Sequence, residues 1–191
     1  MLYNVVLFLH ILGAVIMFMA IAVLALSMLS MVQSKDTENI RRWSGLAVKT
    51  DALFPMSTLL ILLPALYLVF SAWGWGTAWI NVSLAALLGA SFLGPVINLR
   101  RLKGILAAAE AETDVIPSAV LMNKVRDRVL WNSVFVMAML AVGILFLMAV
   151  KLTLVGSLIT MALAVAVGFG LAQFILFKTR PETSVDTVSF R

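Results

Sequence analysis

Few side chains in this sequence could do chemistry, and most of those lie in or beside long apolar runs. His10 is the only histidine among 191 residues. It stands inside the apolar run from Leu2 to Val32, a few helical turns from its start. An ionisable group at membrane depth is rare and is a candidate for function by default. Met17, seven residues on, shares a helical face with His10, as do Tyr3 and Ala14. Two readings follow. In one, His10 ligates a haem iron, with Met17 or a residue of another chain as the second ligand. A bis-histidine haem would then need a second chain. In the other, His10 is a neutral imidazole hydrogen-bonded between helices or near the outer interface.

Asp51 lies just before the second apolar run and is read as a salt-bridge residue at the interface. Its candidate partners are Lys49, Arg41, Arg42 and the cluster Arg126 to Arg128. A proton relay would want further acids at membrane depth, and the runs contain none. Gln173, the one strongly polar side chain deep in the last run, is read as an interhelical hydrogen-bonding residue. Arg100, Arg101, Lys103, Lys124, Arg126 and Arg128 form a basic cluster suited to anionic lipid head groups. There is no cysteine, which excludes disulfides, thiolate metal sites, iron–sulfur clusters and cysteine nucleophiles in this chain. A phosphate-cradling glycine loop, an HExxH motif and a catalytic triad set are also absent. The methionines are scattered along apolar faces as packing residues.

The elements that position these groups follow from composition. Hydrophobic residues make up 63% of the chain and charged residues 12%, with a mean hydropathy of +1.09. Soluble domains run at about 45–50% apolar and about 25% charged, so lipid must cover the surplus. The pattern predicts an all-α, multi-pass transmembrane bundle with five spans. They lie at Leu2–Val32, about Phe54–Phe70, Trp79–Leu99, Trp131–Val150 and Leu154–Phe177. Nothing basic precedes the first run, so it reads as a retained helix rather than a cleaved signal peptide. Gln33 to Arg42 is a polar segment and Trp43 to Phe54 is mixed. Pro64 interrupts the second run and Gly94-Pro95 the end of the third. Ala119 to Arg128 is read as a short amphipathic helix at the membrane surface, and residues 178–191 as a flexible cytoplasmic tail.

Every basic residue except Lys151 falls at one end of this arrangement, which by the positive-inside rule faces the cytoplasm. With five spans, the N-terminus lies outside and the C-terminus inside. Trp73, Trp75 and Trp79 are read as an outer aromatic belt, and Trp43 and Trp131 as an inner one. The net charge of +5 reflects this one-sided bias and not affinity for nucleic acid. Small residues recur every fourth position on the third span (Ala86, Ala90, Gly94) and in two stripes on the fifth. One stripe is Ala162, Ala166 and Gly170, the other Ala164, Gly168 and Ala172. They are read as helix contact faces, with one stripe to spare for a partner or a second copy.

Five stretches carry a resemblance: Leu9-His10-Ile11-Leu12-Gly13-Ala14, Asp51-Ala-Leu-Phe-Pro55, the Trp-containing turn leading to Trp79, Asn98-Leu-Arg-Arg-Leu102 and Leu145-Phe-Leu-Met-Ala-Val-Lys151. In order and spacing they resemble the bacterial DUF2269 family of predicted integral membrane proteins over roughly residues 1–152. The resemblance implies a four-helix unit over residues 1–152 in a bacterial cytoplasmic membrane. Residues 153–177 add a helix. It implies no activity. Around His10 alone the sequence is also similar to CopD-type copper proteins and to the haem-binding membrane protoporphyrinogen oxidase. The second haem ligand of that oxidase has no counterpart here, and its activity is not carried over. The leading expectation is a non-enzymatic accessory or structural subunit of a larger membrane complex. The alternatives are a haem b-binding redox protein using His10 and a small transporter.

Overall fold

In lipid, every backbone N–H and C=O of a spanning segment has to be satisfied within the protein, and for an isolated apolar run only the helix does this. In the computed structural model, which describes residues 1–179, all regular elements are accordingly helical. The order is α1 Leu2–Gln33, α2 Thr37–Asp51, α3 Leu53–Leu68, α4 Ala78–Gly94, α5 Arg100–Ala111, α6 Ala119–Val125, α7 Arg128–Val150 and α8 Leu154–Lys178. Two π-helical turns intervene, Val69–Trp73 after α3 and Pro95–Leu99 between α4 and α5. Joined through these turns, the helices give five elements long and apolar enough to cross a membrane. The expected tail lies, from residue 180 on, outside the described residues.

Two helices run further than their hydropathy suggests. The polar segment after α1 is itself helical. Asp36 opens α2 by accepting a hydrogen bond from the backbone N–H of Asn39 at 2.7 Å, a standard N-cap contact. The third span continues through the basic exit as α5, so Arg100, Arg101 and Lys103 project from a helix. The two extensions pack on each other. Arg41 of α2 donates to the carbonyls of Ala109 and Glu112 at 3.0 and 3.1 Å, supplying donors and positive charge to the C-terminal end of α5. The N–H of Thr37 donates to the carbonyl of Val115 at 2.9 Å.

The larger apolar core sits at this end of the molecule, where Leu24, Met28 and Met31 of α1 meet Ile40, Ala47, Leu102, Ile105 and Leu130. It corrects two readings of the sequence. Leu121 and Val125 of α6 are buried in this core, so the apolar face of that short helix meets protein, while Val120 stands exposed. Trp131 is not a belt residue either. It is fully buried, donates from Nε1 to the carbonyl of Val125 at 2.9 Å and stacks on Phe135. Trp79 is likewise buried, in a smaller core at the opposite end with Val69, Ile80, Leu147 and Met161. A large amphipathic ring serves a core as well as it serves an interface, and composition alone does not separate the two uses.

Between the two cores the bundle divides into two lobes. α1 lies along α3, while α8 lies along α7 with α4 against α7. Contacts of α1 with α7 and of α3 with α4 are slight. Close approach within each lobe depends on glycine. A Cβ on Gly13 would come within 2.9 Å of Ile61 Cγ1 and 3.0 Å of its backbone nitrogen. A Cβ on Gly168 would come within 2.6 Å of Val136 Cα. The stripe Ala164, Gly168 and Ala172 therefore packs on α7, whereas Ala162, Ala166 and Gly170 are exposed. On α4 the small residues do something different: Ala90 and Gly94 border a cavity.

Candidate functional site

The seam between the lobes holds two cavities. The larger, about 380 Å³, lies between α1, α3, α4 and α7 with Asp51 and Asn98 among its walls. The smaller, about 70 Å³, lies nearer the 69–73 turn and is bordered by His10, Ser83 and Trp73. Met17, Leu87, Ala141 and Ile144 line both. α8 contributes to neither.

Each π turn delivers a residue to a cavity. Such turns insert one extra residue into a helix and occur often at functional sites. The turn Val69–Trp73 brings the Trp73 ring edge-on to His10, with centroids 6.4 Å apart. The turn Pro95–Leu99 brings Asn98 to the larger cavity, 4% exposed. Its cause is legible locally, because Pro95 has no N–H for the carbonyl four residues earlier and the ladder has to shift.

His10 is 5% exposed, and its Nδ1 is 3.0 Å from the carbonyl oxygen of Ile61. A carbonyl only accepts, so Nδ1 carries the proton and donates, which fixes the tautomer. The contact is possible because Gly13, one turn away, lets α1 approach α3. A haem does not fit here: about 70 Å³ beside His10 holds a few waters and not a porphyrin. Met17 borders the same cavity without changing that. Ser83 Oγ, in the same small cavity, is buried without a hydrogen-bond partner.

Asp51 is 5% exposed and forms no ion pair among the described residues. The sequence suggested Lys49, Arg41, Arg42 or Arg126 to Arg128 as its partners. Instead Arg41 and Arg42 pair with Glu38, Lys49 is exposed, and Asp51 turns to the larger cavity. Gln173 of α8 donates from Nε2 to Asn132 Oδ1 of α7 at 2.7 Å. The basic cluster is divided by the fold. Arg101 pairs with Asp127, which also caps α7 by accepting from the N–H of Val129 at 2.9 Å. Arg126 is half-buried, with Nε unpartnered. Arg100, Lys103, Lys124 and Arg128 remain exposed.

Asn98, Thr58 and Pro55 were not singled out by their chemistry. The available signal was Gly94-Pro95, since glycine and proline interrupting an apolar segment point to a site at membrane depth. Together these features define a multi-pass α-helical integral membrane protein with a polar-ended cavity between two lobes. The chain belongs to the DUF2269 family of predicted integral membrane proteins, which it matches over residues 4–152. Comparison with curated proteins and with solved structures gives no match. Both cavities lie wholly within the matched residues.

Proposed function

We propose that this protein is a small membrane transporter, whose substrate rests in the seam between the α1–α3 lobe and the α4–α7–α8 lobe. The observation that carries this reading is the length of the seam. The two cavities share four lining residues and together follow α3 and its π turn from Phe54 to Trp73. That is roughly 28 Å of helical rise, close to the ~30 Å thickness of a hydrocarbon core. A volume near 380 Å³ falls in the range of small-molecule sites, about 300–1,000 Å³. In this reading the basic end faces the cytoplasm, with Asp51 at the inner end of the path and His10 toward the outer end. The membrane is the bacterial inner membrane that the family resemblance implies. Arg100, Lys103, Lys124 and Arg128 meet lipid head groups there.

The test is native mass spectrometry of the protein released from its own membrane. A small molecule is expected to accompany the wild type and to be absent from Ala138→Phe, which fills the larger cavity. A wild type that carries nothing, or an adduct indifferent to Ala138→Phe, would count against the reading.

One observation favours an accessory subunit instead: Ala162, Ala166 and Gly170 form an exposed small-residue face on α8, with no atom within 4 Å of a Cβ at Gly170. If that face seats a partner chain or a second copy, Ala166→Leu would dissociate the assembly on native gels.

A further inference from the structure

We infer that the larger cavity takes an organic monocation, a small amphipathic amine whose ammonium group sits against Asp51 and Asn98 and whose apolar body lies along α4 and α7. This rests on the transport reading above and narrows it to a substrate class.

Asp51 and Asn98 are 5% and 4% exposed and both border the cavity, and α2 packs against the Pro95–Leu99 turn. Asn98 Nδ2 donates to Met137 Sδ at 3.5 Å, which leaves Oδ1 buried and unpartnered. Ser91 Oγ donates to the carbonyl of Leu87 at 2.7 Å and lies 3.5 Å from Thr58 Oγ1. Pro55 and Pro95 both border the cavity and have no N–H, so the carbonyls of Asp51 and Ser91 lose their ordinary i+4 donor. No lysine, arginine or histidine lines the cavity.

An unpaired carboxylate away from water is costly, and a partner cation offsets that cost. The described residues supply none, and a cationic ligand would. An anionic ligand would meet Asp51 as a like charge, and a neutral apolar one would leave its oxygens without donors. A bare metal ion fits poorly. No group of three or more acidic, histidine or cysteine side chains that could hold one occurs among the described residues, and apart from Thr58 and Ser91 the remaining walls are apolar. An ammonium group carries donors for Asp51 and for Asn98 Oδ1, and an apolar body matches those walls.

The test compares 4-phenylbutylamine with the neutral 4-phenylbutan-1-ol, by equilibrium binding to the full chain in lipid nanodiscs at pH 7. The amine is expected to bind at least tenfold more tightly. Asp51→Asn should abolish that preference while leaving the alcohol unchanged. Asn98→Ala should weaken the amine several-fold, and Lys49→Ala should change nothing. Ala138→Phe should remove binding of both probes. Elution as a folded species and an unchanged unfolding temperature qualify each variant, with Asp51→Glu expected to retain the preference. If both probes bind and both are blocked by Ala138→Phe, but the preference is absent or survives Asp51→Asn, the cation inference is overturned while the cavity reading stands. If neither probe binds, or Ala138→Phe blocks neither, the cavity reading falls and the inference with it.

Discussion

His10 shows how a rare residue can have a structural explanation and still border a site. Its Nδ1 proton goes to the Ile61 carbonyl, in a turn approached closely only because residue 13 is glycine. Replacing it with leucine should cost about 1 kcal/mol of stability, the usual net worth of one hydrogen bond, read as a lower unfolding temperature in detergent. The reduced-minus-oxidised visible spectrum of the purified wild type should be featureless. A haem band lost in His10→Leu would contradict this account of the residue. From the sequence, His10 was visible as an oddity but its partner was not, because a backbone carbonyl leaves no mark on composition. The surroundings of Asp51 are hidden for a related reason. Lys49, Arg41 and Arg42 are near in sequence, but helical spacing points them away from it: Lys49 into solvent, and Arg41 and Arg42 onto Glu38.

Among the elements, the last two helices give the sharpest contrast. Gly168 and Gly170 are two residues apart on α8, yet a Cβ at Gly168 would strike the backbone of α7, whereas one at Gly170 meets nothing within 4 Å. Gly168→Ala should destabilise the protein by about 1–3 kcal/mol, since α7 and α8 would have to separate. Gly170→Ala should be neutral or stabilising by up to about 1 kcal/mol through helix propensity. Thermal unfolding of the two variants side by side checks both, and equal effects would show that the wrong stripe has been assigned to α7. The alternation of small residues every four positions was readable in advance, as were all five long helices, because a run of about 20 apolar residues has few other fates. Which stripe is covered was not readable, since both have the same composition. Trp131 and α6 were misplaced on similar grounds. Amphipathic character marks a surface between polar and apolar surroundings, and here the apolar side is the core around Leu24 and Ile40 rather than lipid.

At the scale of the molecule, the division into two lobes is what the sequence hid most completely. Small residues on facing helices read as contact. On α4 and α7, however, Ala90, Gly94, Ala138 and Ala141 leave space. α8 braces α7 from outside the seam, consistent with both cavities falling inside the residues matched by the family. The orientation proposed here makes its own prediction. With single cysteines at Gly76 and Asp114, an impermeant thiol reagent applied to intact cells should label Gly76→Cys only, and the reverse pattern would invert the topology.

Transport through the seam is tested most directly in the same cysteine-free background. Single cysteines are placed along the seam at Ser83, Ala90 and Ala138, and on lipid-facing positions at Leu63 and Leu163, which are 62% and 60% exposed. Each variant, in sealed vesicles, is then treated with a small charged methanethiosulfonate. A path through the seam predicts that the three seam cysteines react and that the two lipid-facing ones do not. Seam cysteines as inert as those at Leu63 and Leu163 would mean that the space between the lobes is closed to polar solutes, and that the protein is not a transporter.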